Sequence, residues 1–222
     1  MDNTSSFDSC IYDNNIRKVI PYYDEIYSQI IDLIRTYCGY REISLLDTGC
    51  GSGMMGLKAD EFLNISEMLL CDPSENMLKS AEKKLTGTNC KFIKTGSENL
   101  NFENRFNVVT AIQSHHYFDI NTRKIAVMNC YNALKPGGLF ICFENTAPFS
   151  ETGIRIMKKR VENYGINAGR TREEAVSHSA RYNKEYFPIT IKEHLDLLDK
   201  TGFRTAELFW HSYMQSGFYA IK

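Results

Sequence analysis

The sequence predicts an α/β protein with a seven-stranded, mostly parallel sheet whose last strand is antiparallel. Three observations support this fold class. Short apolar segments alternate five times with helical segments, a glycine-rich turn follows the first apolar segment, and two closing apolar segments are joined by a short link. Such alternation is typical of βαβ units, which build a parallel sheet with helices on both faces. We expect the 222 residues to form a single domain.

The elements are predicted in a regular order. Pro21 and the helical spacing of Ile26, Ile30 and Ile34 indicate a helix, so residues 1–42 are interpreted as an N-terminal helical cap. Strands are predicted at 42–49, 66–72, 90–96, 106–113, 139–145, 204–210 and 216–222. Helices are predicted at 54–63, 74–85, 121–134 and 190–203, the second of them opened by Ser74. Residues 147–189 hold no clear strand and are interpreted as a helical insertion or lid.

The composition is that of an ordinary globular protein. The net charge of −1 provides no global attraction to nucleic acid or to a membrane. The seven cysteines form no CxxC pair and no cysteine–histidine cluster, so we expect reduced thiols and no metal site. The first ten residues are polar and acidic, unlike a signal peptide, and no apolar stretch approaches a membrane span in length. These features predict a cytoplasmic protein.

The most informative motif is LLDTGCGSGMMG at residues 45–56. Gly49, Gly51 and Gly53 follow the first strand at the carboxyl edge of the sheet, where open α/β folds bind ligands and glycines let the backbone approach them. No Gly-Lys-Ser/Thr follows, so this is not a P-loop. Asp72 ends the second strand, where an acid can bind ribose hydroxyls. The spacing indicates a nucleoside and is compatible with both NAD and S-adenosylmethionine.

Two features favour S-adenosylmethionine. Asp47 precedes the first glycine, where it can face a cationic amine and would repel a pyrophosphate. The predicted antiparallel pair at the end of the sheet points the same way. Five segments then resemble, in order, the motifs of Rossmann-like class I S-adenosylmethionine-dependent methyltransferases: LLDTGCGSG, CDPSENML, TGSENLNF, FNVVTAIQSHHYF and LKPGGLFI. We therefore predict direct in-line methyl transfer to a small-molecule acceptor, with S-adenosylhomocysteine as the product.

This resemblance implies a role for each matching residue. The methionine moiety would lie against Asp47, Gly49, Cys50, Gly51 and Gly53, and the ribose diol would bind Asp72. Pro73 and Ser74 would lie beside ribose and adenine, and Ser97 and Glu98 at the adenine edge. Ala111 and Ile112 would flank the sulfonium.

The two ends of the chain resemble a narrower family. RKVIPYYDEI, FENTAPFSE and the closing GFRTAELFWHSYMQSGFYAIK are similar to carboxy-S-adenosylmethionine synthases of tRNA wobble-uridine modification, which make a carboxylated cofactor from S-adenosylmethionine and prephenate. The resemblance implies that Tyr23 touches the cofactor and that Arg181 holds the added carboxylate. Ala111 stands where that family has asparagine, and the family lacks a glycine at position 53. Carboxylated-cofactor synthesis is therefore the alternative to methyl transfer.

Candidate residues for the acceptor lie elsewhere. A general base is needed only if the acceptor must lose a proton. His115 and His116 follow the fourth strand and are candidate bases, although they could instead pack or cap the loop. His211 and Tyr213 precede the last strand and are candidate substrate-binding residues, although they could instead fill the hairpin beside Trp210.

The insertion is locally basic. Residues 155–172 carry six Lys or Arg against one acid, a pattern that could bind an anionic acceptor or RNA phosphates. The alternative is a solvated helix face. We expect a small-molecule acceptor, which could be anionic, and no membrane partner. A tRNA-modifying methyltransferase stays an alternative, and the insertion could also pair two copies into a homodimer.

Overall fold

A computed structural model describes residues 15–222. Seven strands form one sheet: β1 Ile43–Thr48, β2 Ile65–Asp72, β3 Cys90–Lys94, β4 Phe106–Ile112, β5 Leu134–Asn145, β6 Thr205–Ser212 and β7 Gln215–Ile221. The α-helices are α1 Tyr23–Cys38, α2 Met54–Phe62, α3 Glu75–Lys84, α4 Ile120–Ala133, α5 Glu151–Asn167, α6 Arg172–Ser179 and α7 Ile191–Thr201. Short 3₁₀ turns cover Ile16–Lys18, Ser97–Asn99 and His115–Tyr117.

The sheet confirms the predicted fold class. Its strand order is β3-β2-β1-β4-β5-β7-β6. β1 to β5 are parallel, whereas β7 is inserted antiparallel between β5 and β6. The order reverses at β1, which has β2 on one side and β4 on the other. This reversal places the carboxyl ends of the three strands around a common crevice, the usual ligand site of open α/β sheets.

The two faces of the sheet are covered by different helices. Along β1, Leu45 packs into the cluster that contains Ile30 of α1, and its neighbour Leu46 packs into the opposite cluster with Leu198 of α7. This is the period of two expected of a strand with both faces buried. The apolar stripe of α1, formed by Ile26, Ile30 and Ile34, is almost fully buried. Helix α1 is therefore part of the core.

The largest difference from the predicted boundaries is at the start of β5. We expected α4 to run to residue 134 and β5 to begin at Leu139, but β5 begins at Leu134. Leu134 pairs with Phe106, Leu139 pairs with Val108, and the register shifts between the two pairs. The intervening KPGG segment accommodates this irregularity, since Gly137 has a φ of +73°.

The predicted insertion contains α5 and α6, and it docks on the carboxyl edge of the sheet. The Phe187 amide donates to the His116 carbonyl at 2.7 Å, and Arg123 Nη2 donates to the Phe187 carbonyl at 2.6 Å. The Tyr164 hydroxyl donates to the Arg17 carbonyl at 2.9 Å. The insertion thus contacts both the loop after β4 and the N-terminal segment.

Two expectations depend on the cysteines and on hydropathy. The six cysteines within residues 15–222 are free thiols, while Cys10 lies outside the described residues. Over the same residues, the structure contains no helix with the length and apolar character needed to cross a membrane.

Candidate active site

A cavity of about 390 Å³ opens at the point where β1, β2 and β4 end. The structure brings these predicted cofactor residues together in its wall: Tyr23, Gly49, Cys50, Gly51, Asp72, Pro73, Ser74, Ser97 and Ile112. Sequence reasoning missed other wall residues, among them Tyr27, Gln113, Ser114, Tyr117 and Phe118. Four predicted residues are not in the wall, namely Asp47, Gly53, Glu98 and Ala111.

The glycine loop has a left-handed backbone that explains its composition. Gly49, Gly51 and Gly53 have φ values of +66°, +53° and +81°. A Cβ on Gly49 would lie 2.5 Å from Ser114 Cβ, and one on Gly53 would lie 2.9 Å from Ala81 Cβ. A Cβ on Gly51 would meet nothing within 4 Å. Gly49 and Gly53 thus allow close packing, whereas Gly51 borders the open cavity.

Asp72 connects the loops that follow β1 and β2. Its carboxylate accepts from the Gly51 amide at 2.9 Å and from the Ser74 amide at 2.8 Å. Ser74 in turn caps α3, its hydroxyl accepting from the Met77 amide at 3.2 Å, as the sequence predicts. Two backbone donors therefore stabilise a nearly buried negative charge at the cavity wall.

Asp47 is buried inside the sheet, unlike Gly49 and Gly51 of the same motif, which are in the cavity wall. It is 1% exposed and accepts a hydrogen bond from Thr110 Oγ1 at 2.6 Å. Burial raises the pKa of the Asp47 carboxyl to about 7, with the negative charge of Asp72 acting in the same direction and the Thr110 bond opposing it. The carboxyl therefore lies inside the sheet next to β4, and any effect on a bound amine would be exerted at a distance.

The other three predicted residues that are not in the cavity wall have local explanations. Ala111 is fully buried in the cluster on the α4–α7 face, opposite to the cluster that contains Ile112. Gly53 is the residue before α2 and packs against Ala81. The Glu98 carboxylate lies beside Gly96, which is itself in the wall, and accepts from Asn99 Nδ2 at 2.8 Å.

His115 and His116 both contact Glu144, a residue that was not predicted from the sequence. Both are buried, and their backbone amides donate to the Glu144 carboxylate at 3.1 and 3.0 Å. His116 Nδ1 lies 2.7 Å from Glu144 Oε2. Burial alone would raise the pKa of Glu144, but the hydrogen bond and charge of His116, together with His115 and His194, lower it to about 2. Burial lowers the pKa of His115 to about 4.

A second, smaller cavity of about 50 Å³ adjoins the first and shares Gln113 and Tyr117 with it. Its remaining polar wall residues are His116, Asn145, His178, Tyr186 and Gln215. The N-terminal segment, the insertion and the β6–β7 turn complete it with apolar side chains. His116 thus borders the small cavity, whereas His115 borders neither.

The three candidate substrate residues lie outside both cavities. Arg181 Nε donates to Glu185 at 2.6 Å, and the Arg181 side chain also hydrogen-bonds Tyr117, whose ring borders both cavities. His211 Nδ1 lies 2.9 Å from Ser216 Oγ. Tyr213 occupies the turn between β6 and β7, and the Arg160 guanidinium stacks on its ring.

Comparison with known proteins agrees with this geometry. Residues 45–138 match a family described as a methyltransferase domain. A carboxy-S-adenosyl-L-methionine synthase from Staphylococcus epidermidis is 23% identical over 95% of this chain and 92% of its own length. A ubiquinone/menaquinone biosynthesis C-methyltransferase from Rickettsia prowazekii is 36% identical, but over 56% of this chain and 51% of its own length. The crystal structure of magnesium protoporphyrin IX methyltransferase from Synechocystis with bound SAH has a TM-score of 0.65, at 14% identity over 93% of this chain and 86% of that one.

The chain has the Rossmann-like fold of its methyltransferase neighbours, and residues 45–138 within it match a methyltransferase domain. Its similarity over nearly the full length is to carboxy-S-adenosyl-L-methionine synthases. The wall residues fit the cofactor chemically. Asp72 supplies a carboxylate for a diol, Gly51 leaves the backbone uncovered, and Ile112 and Met77 supply apolar surface.

We predict that Gly51→Ala weakens binding of S-adenosylmethionine at least several-fold, because the new methyl group would project into the cavity. Gly87→Ala is the matched control: Gly87 has a φ of +90° and equally open surroundings, but lies outside the cavity wall. Both changes place alanine at positive φ and should cost about 1–2 kcal/mol of stability. Thermal unfolding and calorimetric titration measure the two effects, and equal loss of affinity in both variants would contradict the assignment.

We predict that Asp47→Asn stabilises the cofactor-free protein more at pH 8 than at pH 5. With its pKa raised to about 7, Asp47 holds its proton in the folded state, whereas the unfolded chain releases it near pH 4. The wild type therefore loses stability as the pH rises between these values, and asparagine does not. Melting temperatures of both proteins across this range test the prediction. Asp32→Asn, at an exposed position of α1, controls for the lost charge. A stabilisation by Asp47→Asn that decreases as the pH rises would refute the prediction.

Proposed function

We propose that the protein transfers the methyl group of S-adenosylmethionine directly to a small-molecule acceptor. The observation that carries this proposal is the pair of adjoining cavities at one sheet edge. The larger has the Asp72 carboxylate and the glycine loop in its wall, and the smaller is enclosed by the N-terminal segment, the insertion and the β6–β7 turn. A space of about 50 Å³ suits a small reacting group.

The residues in the wall suggest how the reaction would be promoted. When bound, the cofactor supplies a methyl group whose carbon is already activated by the sulfonium charge. Asp72 would hold the ribose diol, and the loop after β1 would fix the amino-acid end through its backbone. Tyr23 and Tyr27, with their hydroxyls 3.3 Å apart, would cover the site and exclude water. The task of the protein is then chiefly to align donor and acceptor.

A second candidate function is synthesis of a carboxylated cofactor. It is favoured by the similarity to carboxy-S-adenosyl-L-methionine synthases over nearly the whole chain, and by the contact of Arg181 with Tyr117 at the cavity wall. Against it, no lysine or arginine among residues 15–222 is part of either cavity wall. Burying a carboxylate without a cationic partner is costly, so methyl transfer is the better-supported proposal.

The basic segment of the insertion offers less support for an RNA substrate. Arg155, Lys158 and Lys159 of α5 lie at a shallow surface recess together with Glu151 and Glu162. Lys159 pairs with Glu162 at 3.2 Å, and Lys158 lies over the Tyr182 ring. Charges balanced in this way favour a solvated face. Binding of RNA and formation of a homodimer stay predictions from the sequence.

We predict that S-adenosylmethionine binds the wild-type protein and that Asp72→Ala raises its dissociation constant roughly 10- to 100-fold, the usual worth of a hydrogen bond to a charged group. Asp119→Ala is the matched control. Asp119 also accepts two backbone N–H bonds after a strand, but it caps α4 outside both cavities. Isothermal titration calorimetry measures all three proteins. Absence of binding to wild type at high micromolar concentration would refute the proposed function, and unchanged affinity of Asp72→Ala would refute the ribose role.

We predict that any nucleoside retained on purification has the mass of S-adenosylmethionine or S-adenosylhomocysteine, because the cavity walls lack a cationic partner for an added carboxylate. We also expect no consumption of prephenate in its presence. Mass spectrometry of the released ligand and a prephenate assay provide the measurements. A carboxylated nucleoside, or prephenate turnover that is lost in Arg181→Leu, would establish the second candidate function instead.

A further inference from the structure

We propose that His116 is the general base for the methyl acceptor, that Glu144 is its positioning residue, and that the acceptor presents a small, neutral, protic group in the second cavity. This inference rests on the proposed methyl transfer. It assigns the cavity to an acceptor class, namely a hydroxyl, amine or thiol that must lose a proton. The sequence offered His116 only as one of two adjacent candidates and gave no indication of Glu144.

His116 Nδ1 carries a proton, because its neighbour Glu144 can only accept a hydrogen bond. The Glu144 carboxylate already accepts from the amides of His115 and His116 at 3.1 and 3.0 Å, and these two donors favour its ionised form in the buried site. An ionised carboxylate can only accept hydrogen bonds. His116 Nδ1, 2.7 Å from Glu144 Oε2, must therefore carry a proton. The nitrogen at which His116 can take up another proton is Nε2.

On the opposite side of the His116 ring, a chain of side-chain amides fixes the orientation of Asn145. Gln113 Nε2 lies 3.4 Å from the Phe143 carbonyl, which can only accept, and the same amide nitrogen donates to Gln215 Oε1. Gln215 Nε2 then donates to Asn145 Oδ1 at 2.7 Å. This orientation leaves Asn145 Nδ2 as the group that lies 3.4 Å from His116 Nε2.

A chain of three amides thus ends in a donor directed at His116 Nε2. A backbone carbonyl fixes the direction of the chain, so the orientation of the amides follows from the network. The donor needs a lone pair on Nε2, and Glu144 needs a proton on Nδ1. Both neighbours therefore select the neutral Nδ1–H tautomer, which is the form that can accept a proton at Nε2.

His116 belongs to the wall of the second cavity, where its Nε2 can meet an acceptor. His116, Asn145 and Gln215 border the second cavity, and Gln113 and Tyr117 separate it from the cofactor cavity. A volume of about 50 Å³ has room for roughly four water molecules, hence for a group of a few heavy atoms. Since no lysine or arginine among the described residues borders it, its amides suit a neutral polar group better than an anion.

The reaction balances as a displacement at carbon. The proton of the acceptor X–H goes to His116 Nε2, and the lone pair of X forms the bond to the methyl carbon. The carbon–sulfur bonding pair leaves with the sulfur, giving a neutral thioether. Glu144 stabilises the imidazolium that results and returns the ring to the same tautomer when the proton is lost.

The test uses ring-nitrogen NMR of ¹⁵N-histidine protein, with His116→Gln to assign the His116 signals. We expect the Nδ1–H tautomer in the wild type and a smaller share of it in Glu144→Ala, because that change removes the acceptor of the Nδ1 proton. Wild-type spectra are then recorded at pH 8 in the presence of saturating S-adenosylmethionine or S-adenosylhomocysteine. Only the first carries a sulfonium charge, so the ring ¹⁵N chemical shifts of a histidine near the methyl group should differ between the two complexes.

The titratable groups that interact with the His116 ring are Glu144, His115, His178, His194, Tyr117 and Tyr186. Arg181 in turn hydrogen-bonds Tyr117. These groups are the same in both complexes, so a difference between the two His116 spectra isolates the effect of the sulfonium charge. His211, outside both cavities, is the internal control and should give the same ¹⁵N shifts with both ligands. An Nε2–H or doubly protonated wild-type ring at pH 8, or equal His116 shifts in both complexes, would overturn the inference. Failure of both ligands to bind would instead refute the proposed methyl transfer.

Discussion

The hydrogen bond from the Gly51 amide to the Asp72 carboxylate holds together the two loops on which the cofactor cavity depends. It forms because β1 and β2 are parallel neighbours in a fixed register, with Thr48 opposite Cys71. The Cys50 amide adds a second link to the Cys71 carbonyl at 3.0 Å. A slip by one residue would exchange the buried faces of β1 and separate both pairs, so the packing of Leu45 and Leu46 on opposite clusters indirectly fixes the site.

The other half of the same sheet edge is built by different means. Toward β5 and β7, side chains form the wall: Glu144 at the end of β5 holds the His115–His116 turn, and three amides connect Gln113, Gln215 and Asn145. The insertion of antiparallel β7 beside β5 makes this possible, because it brings Gln215 opposite Asn145. The backbone thus dominates the cavity wall near β1 and β2, and side chains dominate the wall near β5 and β7.

This division explains what the sequence could predict. The glycine loop, the Ser74 cap and the alternation of strands and helices are local patterns, and the structure has them where they are expected. Gln113 and Gln215 are 102 residues apart, and no local pattern announces such a pair. Ala111 was expected beside Ile112 in the cofactor wall, but consecutive residues of a strand point to opposite faces. The sequence contained that signal, since Ile112, Thr110 and Val108 share one face and Ala111 and Val109 the other.

The same division bears on how a chain can keep a cofactor and change its acceptor. A wall of glycines and backbone amides tolerates many substitutions around it, which is consistent with a shared fold at 14% identity. A wall of long-range side-chain pairs changes with single residues. In this chain, that wall contains three amides, two histidines and two tyrosines, and Arg181 contacts it by a hydrogen bond to Tyr117. Amides that already satisfy one another have few donors left to solvate an anion, whereas a neutral X–H group needs only one acceptor, and His116 Nε2 provides it.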